Sequence, residues 1–276
     1  MEAQDVEKDI KKIAEATKGH VGVGLLVLET GESAWLNKDD HFPMQSVYKF
    51  PIGMAVLAQV DAGEIGLDEM VTVQKSELVG FAQHSPIRDK HPEGNFKMSI
   101  RELLRYAVSE SDGSASDVLM RRVGGPEKVM EFLKKLGITG INVVDTEYEI
   151  GSNDSVQYRN WATPVSAIKL IETFYKGVGL KAESRELLMR LMTETETGMN
   201  RLKGLLPKGT VVSHKTGSSR TVNGITAATN DIGIINLRNG KHLLAAVFVS
   251  DSKENLSVRE RAIARIARLG WDKLGK

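Results

Sequence analysis

Strand-forming residues crowd the two ends of this chain, and helical periodicity fills its middle. Near the start, Gly22-Val23-Gly24-Leu25-Leu26-Val27-Leu28-Glu29 reads as a buried strand, Thr30-Gly31-Glu32 as a turn, and Ser33-Ala34-Trp35-Leu36 as its return. Near the end, 210–216, 230–236 and 243–249 read as strands, the last two joined by the turn Arg238-Asn239-Gly240. Isolated hairpins are marginal in water. The simplest fold therefore brings both ends into one antiparallel sheet, with the helices predicted at 4–17 and 256–269 on one face. The expected class is α/β (α+β): an antiparallel sheet flanked by helices, plus an all-α lobe. We expect a discontinuous lobe from 1–45 and 194–276 with a five-stranded sheet, and a helical lobe from 46–193.

Within that helical lobe, apolar spacing marks helices at 98–109, 114–123, 126–136, 163–175 and 182–193. Between 142 and 160 no period persists, and Asp, Asn, Glu and Gly are frequent. A loop of that length in a compact unit is usually functional. The seam between sheet and helical lobe is the expected cleft.

Composition removes several function classes. The 276 residues carry 37 Lys+Arg against 36 Asp+Glu, so no basic excess invites a polyanion, and aromatic content is only 5%. No apolar run reaches the length of a membrane span. The absence of cysteine excludes disulfides, thiolate metal sites and cysteine nucleophiles. The six histidines lack metal-ligand spacing, so neither a metal nor another cofactor is expected. Residues 1–6 lack the basic and apolar segments of a signal peptide, which fits a cytosolic protein or a mature sequence with an added Met1.

The chemistry begins at Gln45-Ser46-Val47-Tyr48-Lys49-Phe50, a turn entering an apolar helix. Ser46 at a helix start meets free N–H groups and the positive end of the dipole, and Lys49 lies one turn on. That is a hydroxyl, a basic partner and oxyanion donors in one place. S-x-x-K alone is weak, expected about once by chance in such a chain. A second copy, Ser166-Ala167-Ile168-Lys169, lies mid-helix and reads as solvated surface. Further signals fall on the same seam. Ser111-Asp112-Gly113 follows a helix end, where one residue also serves as N-cap for a helix from Ser114. Lys215-Thr216-Gly217 ends a strand, and His214, facing the opposite side, reads as core. Glu147 lies in the long loop, where position alone favours a solvated side chain.

Together, S-x-x-K, S-D-x and K-T-G resemble the motif set of class A serine β-lactamases and penicillin-binding proteins. Met44-Gln45-Ser46-Val47-Tyr48-Lys49, Val156-Gln157-Tyr158-Arg159-Asn160-Trp161 and Arg201-Leu202-Lys203-Gly204-Leu205-Leu206-Pro207 resemble the PER-like branch of class A. The resemblance spans nearly the whole chain. It implies an acylated Ser46, with Lys49 as proton-transfer partner and Ser111 relaying a proton to the leaving nitrogen. It implies that Lys215 and Thr216 meet the substrate carboxylate, with Gly217 beside them, and that the N–H groups of Ser46 and Ser218 form the oxyanion hole. Glu147 becomes the residue that holds the deacylating water, with Glu149 as fallback. Family precedent also implies a periplasmic or secreted monomer that takes a small-molecule β-lactam and no nucleic acid.

Three departures accompany the resemblance. Gly113 replaces an asparagine that would contact Lys49 and the substrate side chain. Gly151 replaces an asparagine four residues after the glutamate, so the water must find other partners. The stretch Thr221-Val222-Asn223-Gly224 lacks a carboxylate-steering arginine, and Arg201 aligns where some members supply one instead. A D,D-peptidase, a serine-dependent glutaminase and a non-hydrolysing β-lactam sensor share parts of this pattern.

Overall fold

A computed structural model describes residues 3–275, which divide into two compact units. One comprises 3–47, 161–172 and 198–275; the other comprises 48–160 and 173–197.

The first unit is built on a fully antiparallel sheet of β1 (His20–Val27), β2 (Ser33–Leu36), β3 (Val212–Ser218), β4 (Thr229–Asn236) and β5 (His242–Ser250), in the order β2-β1-β5-β4-β3. Sequence order and sheet order differ because the N-terminal hairpin pairs with the last strand, His20 opposite Ser250 and Val27 opposite Leu243. Alternation then sorts the side chains. Val21, Val23, Leu25 and Val27 of β1 join Leu243, Ala245, Val247 and Val249 of β5 in one core. Val6, Ile10 and Ile13 of α1 (Ala3–Glu15) and Ile263 and Ile266 of α10 (Leu256–Lys273) cover it. Each such side chain contributes about 1.5–3 kcal/mol on burial.

The opposite face of β1 carries glycines. A Cβ at Gly22 would strike the Phe42 ring, and one at Gly24 would meet Ile168 and Trp35. These gaps let Phe42, stacked on Phe248 at 5.7 Å, and the 161–172 segment lie directly on the sheet. That is why 161–172, assigned to the helical lobe by periodicity alone, clusters with the sheet.

The second unit surrounds α2 (Lys49–Asp61). Its residues from Lys49 to Leu57 are all buried, as expected of a helix that is apolar on every side. It packs against α4 (Ile100–Val108), α5 (Gly113–Val123), α6 (Pro126–Lys135) and α9 (Ala182–Thr193); between them in sequence fall α3 (Pro86–Lys90) and α8 (Pro164–Tyr175). Gly53 permits close approach of Leu104, Val108 and Leu188. A Ser99–Glu102 capping box starts α4, Asp112 caps α5, and Gly124 closes α5 in the left-handed conformation at φ +102°. The cap is therefore Asp112, and α5 begins one residue earlier than the expected start at Ser114.

The 142–160 segment is less irregular than its composition suggests. It contains α7 (Glu147–Ile150) and a 3₁₀ turn, Val156–Tyr158. Thr146 and Glu149 form a reciprocal capping box at the start of α7. Asn160 pins the base of the loop: its Oδ1 accepts from the N–H groups of Val144 and Asp145, and its Nδ2 donates to Asp145 O at 2.8 Å.

Candidate active site

In the helical unit, candidate side chains converge on Lys49, which is 1% exposed. Its Nζ donates to Ser111 O at 2.7 Å and lies 3.1 Å from Glu147 Oε1. Such burial is costly unless the charge is paired and hydrogen-bonded. Both conditions are met. Ser111 itself adopts φ +60°, a left-handed backbone that non-glycine residues rarely hold. The turn is held by Asp112 N–H donating to Tyr106 O at 2.9 Å and Gly113 N–H donating to His84 O at 3.0 Å. The Asp112 carboxylate accepts from Ala115 N, Ile87 N and Ser85 Oγ, and withdrawal from water pushes its pKa up.

Glu147 is held from its backbone. Asp117, on α5, accepts from Glu147 N at 2.7 Å and from Tyr148 N at 2.8 Å. Loss of hydration and the neighbouring Glu147 charge raise the Asp117 carboxyl to about 7. The same burial, with Glu147 and Asp117 nearby, drives the Tyr48 phenol well above its ordinary range. Gln83 adds a second contact: its Nε2 donates to Glu147 O and lies 3.5 Å from Oε2. Glu149 faces elsewhere. Its carboxylate accepts from Thr146 N at 2.8 Å and Thr146 Oγ1 at 2.9 Å, so it is committed to the cap.

In the sheet unit, β3 carries Lys215, Thr216, Gly217 and Ser218 along an edge of the sheet. Lys215 is fully buried and Thr216 nearly so, whereas Ser218 is exposed. His214, on the opposite face, is buried against Asp231 with Nδ1 2.9 Å from both carboxylate oxygens; it belongs to the core. Arg201 is no solvated surface residue. At 4% exposure it donates to Gly217 O (3.1 Å), Asn230 O (2.9 Å) and Ser218 Oγ (2.7 Å), and pairs with Glu260 at 3.2 Å.

The segment leading to Ser46 docks on this edge. Asn230 Nδ2 donates to Pro43 O at 2.7 Å and Met44 O at 3.1 Å. A Cβ at Gly217 would run into Met44 O and crowd Val47 at 3.2 Å, so only glycine admits the segment this closely. Gln45 takes φ +47° immediately before Ser46, placing local strain next to a candidate nucleophile. Ser46 lies in a 3₁₀ turn, Gln45–Tyr48, that continues into α2 at Lys49.

Sequence reasoning missed Asp117, Gln83 and Asn230. Each acts on a backbone group of a residue distant in sequence, and no local pattern marks such a bond. The Thr146–Glu149 box carries a readable signal, T-x-x-E.

The profile of the beta-lactamase enzyme family matches residues 5–274. The chain is 39% identical over 265 residues to beta-lactamase VEB-1 of Pseudomonas aeruginosa, covering 95% of this chain and 88% of that protein. It is 40% identical over 266 residues to the extended-spectrum beta-lactamase PER-1 of the same organism, covering 96% and 86%. Among solved structures, a beta-lactamase from Chitinophaga pinensis superposes with a TM-score of 0.95 at 45% identity, covering 98% of this chain and 100% of that one. The TLA-1 extended-spectrum beta-lactamase superposes at 0.96 with 47% identity and 99% coverage of both chains.

Proposed function

The chain belongs to the beta-lactamase enzyme family, and from that premise we propose that it is a class A enzyme opening β-lactam antibiotics through a serine acyl-enzyme. Ser46 Oγ attacks the lactam carbonyl. The oxyanion is held by the N–H groups of Ser46 and Ser218. Lys49 hands its ammonium proton to Glu147 and takes the Ser46 proton; as the lactam C–N bond breaks, Lys49 returns that proton through Ser111 to the departing nitrogen, and Glu147 gives its own back to Lys49. Glu147 then removes a proton from water as it attacks the ester. The carboxylic acid product leaves, and Ser46 regains its hydrogen. Lys215 and Thr216 receive the substrate carboxylate, with Gly217 admitting close approach. Arg201 contributes through Ser218, whose hydroxyl it orients, and through its positive potential on that strand. We place the enzyme in the periplasm or outside the cell, acting as a monomer and conferring resistance. No helix among the described residues is long and apolar enough to cross a membrane.

The observation that carries this reading is the 3.1 Å ion pair between Lys49 and Glu147. A carboxylate from a loop almost a hundred positions downstream meets the lysine of the S-x-x-K motif. A D,D-peptidase or a capture-only sensor has no need of such a group. Glu147→Gln tests it: intact-mass measurement after mixing with a penicillin should find a lasting acyl adduct on Ser46. Unslowed turnover would remove Glu147 from the mechanism.

A further inference from the structure

We propose that Gln83 is a positioning residue for Glu147, and that Gly151 is glycine to make room for the Gln83 carboxamide. This rests on the reading of Glu147 as the deacylating base.

Three observations lead there. First, the carboxylate of Glu147 is addressed from two sides. Lys49 lies 3.1 Å from Oε1, and Gln83 Nε2 lies 3.5 Å from Oε2 while donating to Glu147 O. An ammonium on one oxygen and an amide on the other fix the plane of the carboxylate better than either alone.

Second, Gly151 is not demanded by the backbone. Its φ of −72° suits any residue. What glycine provides is space: an added Cβ would land on the Gln83 carboxamide, within 2.8 Å of Nε2. The side chain absent at 151 and the amide supplied from 83 compete for one volume.

Third, Gln83 is not a loose surface side chain that happens to lie there. Its N–H donates to Gly80 O at 2.9 Å, and its carbonyl accepts from Arg88 Nη1 at 2.9 Å. The same Arg88 nitrogen donates to Val79 O at 3.2 Å and Gly80 O at 2.6 Å. Val79 N–H in turn donates to Ser114 Oγ at 3.1 Å. The turn that presents Gln83 is therefore tied to α5 and to a buried guanidinium, and the reach of the carboxamide is set.

The two positions are thus coupled, and the test is a double-mutant cycle read on separate steps. Acylation and deacylation rates are measured with a chromogenic cephalosporin by stopped flow, with intact mass to count the adduct. Gln83→Ala should slow deacylation about tenfold or more and leave acylation within about threefold, so kcat and KM fall together. In a Gly151→Asn background, where a carboxamide can enter from the other side, the same Gln83→Ala change should cost less than about twofold in deacylation. Gln83→Glu keeps the shape but removes the donor and adds a like charge; its deacylation should fall further than that of Gln83→Ala. A merely structural role would lower melting temperature and slow both steps alike in both backgrounds, and that result overturns the proposal. So does an unchanged deacylation rate in Gln83→Ala and Gln83→Glu. Glu147→Gln run in parallel separates the two failures. If it accumulates acyl-enzyme while Gln83 variants do not, only this inference falls; if it does not, the role of Glu147 falls first.

Discussion

The two units set their polar groups in place by opposite means. In the helical unit, Lys49, Glu147 and Asp117 are ionisable groups that depend on one another: the ammonium is paired at 3.1 Å, and Asp117 holds two N–H groups of α7. In the sheet unit, Lys215, Thr216 and Gly217 are placed by strand register, opposite Ile232, Asp231 and Asn230. Arg201 and Asn230 then grip backbone carbonyls around them. The first arrangement is adjustable but fragile, because removing one charge strands another. The second is rigid, because the backbone itself does the placing.

The sharpest way to break this contrast is Lys49→Ala. It leaves Glu147 and Asp117 without their buried cation, and we expect a loss of about 3–5 kcal/mol in urea unfolding together with loss of turnover. A stability change under about 1 kcal/mol would show that the helical network tolerates a missing member. Gly217→Ala probes the rigid side. Its Cβ meets a backbone oxygen that cannot swing away, and the expected cost is about 1–3 kcal/mol with slowed acylation. Wild-type acylation in that variant would mean the Met44–Ser46 segment is not set by the strand.

What could be read beforehand follows the same division. The sheet built from both termini and the K-T-G strand were legible because regular elements write themselves as period and turn. The pairing of Ser46 with Lys49 was legible as a spacing, because they lie three positions apart in one short segment. Glu147 was not legible from its loop alone, since its position rests on Asp117, thirty places earlier, and on a bond from Gln83 to a carbonyl. Arg201 could also be read as a solvated arginine, because nothing local announces that Gly217, Asn230 and Ser218 will surround it.

A pH titration sharpens the comparison further. Asp117 holds its proton more tightly in the folded protein, at about 7 against an ordinary 3.8, with Glu147 opposing its ionisation and Lys49 favouring it. Between those values the native state binds more protons than the unfolded chain, so this group makes stability fall as pH rises from about 4 to 7. Its contribution is at most about 1.4 kcal/mol per pH unit. Asp117→Asn should flatten that slope in urea midpoints taken across the range; an unaltered slope would place the titration elsewhere. The smallest effect in urea unfolding is expected at Arg101→Ala. The Arg101–Asp68 pair, at 2.8 Å with both side chains exposed, should be worth less than about 1 kcal/mol.

The pairing of His20–Val27 with His242–Ser250 has a consequence in time. On a growing chain, the first hairpin must wait for more than two hundred further residues before its central partner exists. All of 48–160 and 173–197 will by then have been synthesised. The N-terminal strands spend that interval with an open apolar edge. The last forty residues therefore complete the sheet, and truncations there should leave Ser46 without the strand edge on which its segment rests.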